Sequence, residues 1–250
     1  MALKYYGGIY MSFISDLKIK QDGVKRKNYT PTPAQIALAK NLPNQKEMIM
    51  EEILKRAGMS GQPVAVQYSN LNVILQARDQ VSADIKNAGL REDDSVIGGV
   101  TELICEIGLE AAAKGRYEHL PKTWNWVGDY AITGLPFNLY ISVKSYYARE
   151  RLIASGTGQG AAPIIGYGLF KDQSEWSPIR VHQYRHRGFV AIYMPSNLYQ
   201  TLSQKTGKGC PATDILNIYN RPLLRDMANF ANDISNVVSN NNLLVDLKKL

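Results

Sequence analysis

Three residues in one short stretch have the types that phosphodiester chemistry uses: Asp129 in "WNWVGDYAI", and Ser142 and Lys144 in "FNLYISVKSY". Ser142 and Lys144 are two residues apart, and on a strand that spacing turns both side chains to one face. The intervening "TGLP" is a turn signal between two apolar runs, so the pattern predicts a hairpin that brings Asp129 toward Lys144. A carboxylate in that position helps to hold Mg²⁺, which keeps several waters and bridges to phosphate oxygens. The metal polarises the phosphate and lowers the pKa of a bound water, while the lysine orients that water or stabilises developing charge.

The elements that must position these groups can be read from periodicity. "DDSVIGGVTELICEIGLEAAAKG" (Asp93 to Gly115) is the clearest helix, with Val100, Leu103, Ile104, Ile107 and Ala111 on one face. Glu102, Glu106 and Glu110 form a ridge beside that face, Glu110 nearest its buried edge. Like charges four apart repel mildly, a small hint of a nearby cation. Upstream, Pro33 opens a helix, a second helix covers Gln45 to Ala57, "PVAVQY" is β-like, and a further helix runs from about Ile74 to Asn87.

Trp124 to Ile132 and "FNLYISVKSY" are expected strands, followed by a helical "YARERLIAS" and a loop with Gly156, Gly158 and Gly160. Two more strands are expected at Ile164 to Phe170 and Phe189 to Met194. "NRPLLRDMANFANDISNVVS" and "NLLVDLKKL" are expected to be helical. No repeat or linker divides the chain, so residues 1–250 are expected to form a single α/β domain. Within it, 93–194 is the expected catalytic core, and 1–92 and 195–250 are helical additions.

The charge balance narrows the partners. The 250 residues carry 29 Lys and Arg against 22 Asp and Glu, a net +7 that favours polyanions. The 15 tyrosines supply amphipathic rings for surfaces. Cys105 and Cys210 lie far apart, outside any metal-binding pattern, which points to a reducing compartment. No signal-peptide or membrane-spanning apolar run is present, so a cytoplasmic setting is expected. "IRVHQYRHRG" concentrates Arg180, His182, Tyr184, Arg185, His186 and Arg187. It alternates like a strand and reads as a DNA-contacting edge; the His182–His186 spacing would suit a metal only on a helix.

Taken together, the glutamate helix, Asp129, and Ser142-Val143-Lys144 followed by helix and strands resemble the PD-(D/E)xK nuclease superfamily, and within it type II restriction endonucleases. The resemblance covers roughly Asp93 to Met194. Gly128 stands where the family usually has proline, and Ser142 where it usually has an acid. "SVKSYYARER" is similar to the Ser-x-Lys subgroup that cuts CCGG and related cores, with Arg149, Glu150 and Arg151 in the base-reading segment. Arginine can bond bidentately to guanine and a carboxylate can accept from cytosine N4.

The resemblance implies a restriction-endonuclease-like core, a mixed central sheet flanked by helices. It also implies Mg²⁺, with Asp129 as metal ligand, Lys144 acting on the attacking water and Ser142 in place of the missing acid. The subgroup's displaced acid is absent from Gly156 to Gly158, leaving Glu106, Glu110 or Glu150 to complete the metal shell. The expected function is site-specific cleavage of double-stranded DNA by a homodimer, alongside a cognate DNA methyltransferase in a bacterial or archaeal cell. Arg180, His182, Tyr184, Arg185 and Arg187 would add DNA contacts. The alternative is a non-enzymatic or sequence-nonspecific DNA-binding or repair protein.

Overall fold

The computed structural model describes residues 13–124, 126–133, 135, 138–145, 163–204 and 211–239, with 94 and 95 given by backbone alone. The chain divides into two compact units, Met1–Ser60 with Ile74–Val96, and Gly61–Val73 with Ile97–Leu250.

The first unit is helical where described: α1 (Phe13–Asp22), α2 (Pro33–Lys40), α3 (Gln45–Arg56) and most of α5 (Leu71–Asn87). Thr32 and Gln35 form a capping box that starts α2, and the Asn44 side chain accepts from Glu47 N at 3.0 Å to start α3. Lys20 Nζ donates to the carbonyls of Ala39 and Leu42, both at 2.8 Å, and so satisfies groups at the end of α2. Leu17, Ile49, Ile53, Ile74, Val81 and Ile85 are buried.

The second unit is built on a six-stranded mixed sheet, β1 (Tyr117–His119), β2 (Tyr130–Ile132), β3 (Leu139–Lys144), β4 (Ile164–Gly168), β5 (Phe189–Met194) and β6 (Leu224–Asp226), in that spatial order. The first three strands pair antiparallel, and β3 to β6 pair parallel. The chemistry changes with the pairing. β4 and β5 are buried at every residue, as parallel strands covered on both faces must be. β1 is mostly exposed. Helices flank this sheet: α6 (Asp94–Ala113), α7 (Pro178–His186), α8 (Ser196–Ser203) and α9 (Phe230–Ser239). Phe230 of α9 packs between Tyr167 and Tyr193 at ring separations of 4.8 and 5.0 Å. The mixed α/β class expected from the sequence is thus the observed one.

Four local expectations need correction. "PVAVQY" contains a helix, α4 (Val64–Ser69), because Ala65 and Val66 face solvent while Gln67 and Tyr68 turn inward. Tyr68 is fixed there by donating to Met227 O and accepting from Ala231 N at 3.1 Å. The segment Trp124 to Ile132 is extended only over β2, and a 3₁₀ turn occupies Lys122–Trp124. Residues 224–226 form a strand, since consecutive Leu223 and Leu224 are both fully buried, which requires cover on two sides. Finally, Pro178–His186 is helical, with Val181 and Tyr184 buried three residues apart and a turn into left-handed Gly188 at φ 89°.

Candidate functional site

The hairpin predicted from the sequence forms, with Tyr130 opposite Ile141 and Ile132 opposite Leu139. Just beyond the last pair, Asp129 N donates to Ile141 O at 2.7 Å. The Asp129 carboxylate then stands in for a ladder carbonyl: Oδ2 accepts from Val143 N at 2.6 Å. Lys144 Nζ donates to the same oxygen at 3.3 Å. Only 17 % of the Asp129 side chain and 12 % of the Lys144 side chain are exposed, which separates the pair from solvated surface ion pairs. Ser142, two residues before Lys144, is wholly buried.

Two glycines make this arrangement possible. A Cβ on Gly128 would lie 2.8 Å from Ile141 O, so any side chain there, proline included, would push the strand bearing Asp129 away. This gives a physical reason for the departure from the proline expected before the aspartate. On the other side of the ribbon, a Cβ on Gly168 would lie 2.5 Å from Lys144 O, where β4 pairs with β3.

The glutamate ridge of α6 meets β1, a strand the sequence reading missed. Tyr117 donates to Glu110 at 3.2 Å and to Glu106 at 3.4 Å, and His119 Nε2 lies 3.7 Å from Glu102. Glu110 also pairs with Lys114 at 3.1 Å. Burial first, then Glu106 and Glu110, raise the Tyr117 phenol, so it stays protonated and shares its one O–H between the two carboxylates. The alternation Tyr117-Glu118-His119 was the available signal, two polar rings on one strand face. Tyr130 stacks edge-on to both rings and donates to the Glu102 carbonyl at 3.2 Å.

These carboxylates also share an electrostatic neighbourhood. Cys105 is buried and its thiol is pushed well up, by desolvation first and then by Asp129, Glu106 and Glu102. Tyr130 is raised by burial and by the same three acids. Asp129, Glu106 and Glu102 therefore act on the same two buried groups. Among the described residues, no three His, Cys, Asp or Glu side chains are close enough together to hold a metal ion. Among them, both Asp129 contacts fall on Oδ2, so Oδ1 is the oxygen suited to a cation. One carboxylate can serve Mg²⁺ when waters and substrate phosphate complete the shell.

The basic run is presented differently from its expectation. On α7, His182 and His186 are exposed one turn apart, and Arg180, Arg185 and Arg187 are half-buried around them. Arg180 donates to Ser174 O at 3.2 Å. Tyr184 is fully buried in the aromatic cluster with Trp176 and Phe189, so it is not a surface contact residue. Arg149, Glu150 and Arg151 lie outside the described residues.

No protein-family model and no curated protein matches the chain. Among solved structures, it is similar to one titled "Restriction endonuclease PspGI-substrate DNA complex", at a TM-score of 0.47 and 12% identity, over 80% of this chain and 95% of that one.

Proposed function

We propose that the chain is a Mg²⁺-dependent endonuclease of double-stranded DNA, acting as a restriction enzyme at a short G·C-containing palindrome. The observation that carries the proposal is the Asp129–Lys144 pair, held on one carboxylate oxygen by a strand amide and shielded from water. A largely enclosed lysine on an aspartate at a strand end supports this reading, because it sets a positive donor beside a carboxylate as the chemistry requires. Mg²⁺, when bound, supplies polarisation of the phosphate and an acidified water. In this reading Asp129 holds the cation, Lys144 orients the attacking water or stabilises the phosphate charge, and buried Ser142 keeps the missing acid's place. Glu106, and Glu150 outside the described residues, are the candidates for a second carboxylate.

Arg149, Glu150 and Arg151 would read bases, with Arg180, His182, Arg185 and Arg187 on the backbone. A palindromic site favours a two-fold homodimer. A cognate methyltransferase would protect the host DNA, and the enzyme would work in the bacterial or archaeal cytoplasm.

The deciding experiment incubates the protein with unmethylated phage DNA in Mg²⁺ or in EDTA. Discrete Mg²⁺-dependent fragments support site-specific cleavage; a smear replaces it with a nonspecific nuclease. A second reading draws on the lack of a three-ligand cluster among the described residues. It makes the Asp129–Lys144 pair a structural strap in a DNA-binding protein. That reading predicts retarded, intact DNA whose binding falls steeply with salt and ignores the metal.

A further inference from the structure

Between β1 and β2 the chain makes a closed loop whose root is the candidate catalytic aspartate. Leu120 N donates to Asp129 O at 2.9 Å and shuts the neck, while Asp129 N is bonded to Ile141 O at 2.7 Å. Inside the loop, Trp124 N donates to Pro121 O at 2.8 Å. Trp124 O in turn accepts from Val127 N at 2.8 Å and from Gly128 N at 3.4 Å. A loop bonded in this way is set by the same strand that sets Asp129. It exposes Trp124 and Trp126, each at 50%, with Lys122 exposed between Pro121 and the first ring.

Two half-exposed indoles two residues apart expose apolar area that a packed core would have absorbed. The protein's third tryptophan, Trp176, is 1% exposed and packs against Phe170 and Tyr184. Rings beside a lysine are the combination that grips nucleic acid, the rings on bases or sugars and the cation on phosphate. From Asp129, Trp126 is three residues away, at most about 11 Å along the chain. Trp124 folds back onto Gly128, immediately before that aspartate. With bases spaced about 3.4 Å along a strand, the backbone that carries both rings stands about three nucleotide steps from Asp129 at most.

We infer that Trp124 and Trp126 pack against the nucleotides flanking the phosphate held at Asp129 and Lys144, a contact that rests on the nuclease reading and adds a substrate-gripping loop to it. DNA is the occupant because the loop is rooted at the residue proposed to meet the phosphate and exposes Lys122 beside Trp124. The charge of +7 favours the same ligand.

The test titrates sheared unmethylated phage DNA into the protein with Ca²⁺ replacing Mg²⁺, following tryptophan emission, iodide quenching and DNA retention on a filter. DNA is expected to change the wild-type emission and protect it from iodide. In the Trp124→Phe/Trp126→Phe double variant only buried Trp176 remains, and its emission is expected to stay unchanged while DNA still binds. Trp124→Ala/Trp126→Ala is expected to bind about tenfold or more weaker, with circular dichroism and melting unchanged. Retained DNA with unchanged emission and iodide access, or an alanine variant that binds like wild type, overturns the inference and leaves the nuclease reading standing. No retained DNA and no cleavage overturns both.

Discussion

The β2–β3 ribbon and α7 were the two charged regions singled out by residue type, and the structure treats them in opposite ways. In the ribbon, Asp129 and Lys144 are almost enclosed, and their geometry is set by the ladder and by two close glycine contacts. On α7, the charges sit at the rim of a short helix whose anchors are two apolar residues, Val181 and Tyr184. A charge enclosed by a sheet edge has its direction fixed before any ligand arrives. A charge on a helix rim keeps its rotamers and contributes field more than geometry. The difference teaches that the ribbon fixes the direction of its charged groups, as the proposed chemistry requires, while the cations of α7 contribute field, as the proposed DNA contact requires.

The largest expected effect separates the two at once. Lys144→Ala should abolish Mg²⁺-dependent cleavage, and it should also destabilise the fold by about 3 kcal/mol by leaving the enclosed Asp129 carboxylate unpaired. Denaturant unfolding measures the second effect independently of the first. A variant with full cleavage would remove Lys144 from the chemistry. Lys144→Met together with Asp129→Asn should recover much of the stability and none of the cleavage.

Gly128→Ala sharpens the comparison without touching a charge. Its methyl group meets the Ile141 carbonyl, so a loss of about 1–3 kcal/mol is expected, with Asp129 displaced and cleavage reduced. In contrast, Arg185→Ala on α7 should change stability by less than about 0.5 kcal/mol. DNA affinity should fall a few-fold, and the salt dependence of binding should lose about one unit of slope. If Arg185→Ala destabilised the fold as much as Gly128→Ala, the contrast would collapse.

The smallest effect is in pH. Burial raises the phenols of Tyr130 and Tyr193 and the thiol of Cys105 above their ordinary values. Such groups contribute full stability while the unfolded forms are protonated, below about pH 8.5 for the thiol and about pH 10 for the phenols. The contribution is lost as pH rises toward the folded values. The melting temperature should therefore hold from pH 6 to 8 and decline above about pH 9, with phenolate absorbance from buried tyrosines appearing only on unfolding.

What was legible in the sequence followed from periodicity and spacing. The α6 pattern, the hairpin around "TGLP", and the apolar runs of β4 and β5 each carry their own signal, because burial on one stripe or on two faces writes itself into consecutive residues. Asp129 beside Lys144 followed from the turn between two apolar runs. The rest depended on partners distant in the chain. β1 is three residues long and is defined by pairing with β2; β6 is equally short and is defined by β5. The alternation of "RVHQYRH" suggested a strand, but Val181 and Tyr184 sit one helical turn apart, and only their shared burial decides the matter. Likewise, nothing set Glu106 apart from Glu110 until Lys114 was seen to pair with the latter alone, Tyr117 being shared by both.

The sheet's spatial order is also its order along the chain, from β1 to β6. During synthesis the whole antiparallel ribbon, including Asp129 and Lys144, leaves the ribosome before the first parallel partner exists. Its pairings close short loops, whereas β4, β5 and β6 must each wait for a crossover. The groups assigned to chemistry and the parallel strands behind them are therefore expected to assemble on different clocks, the early ribbon serving as the template onto which the slower, more deeply buried half of the sheet is laid.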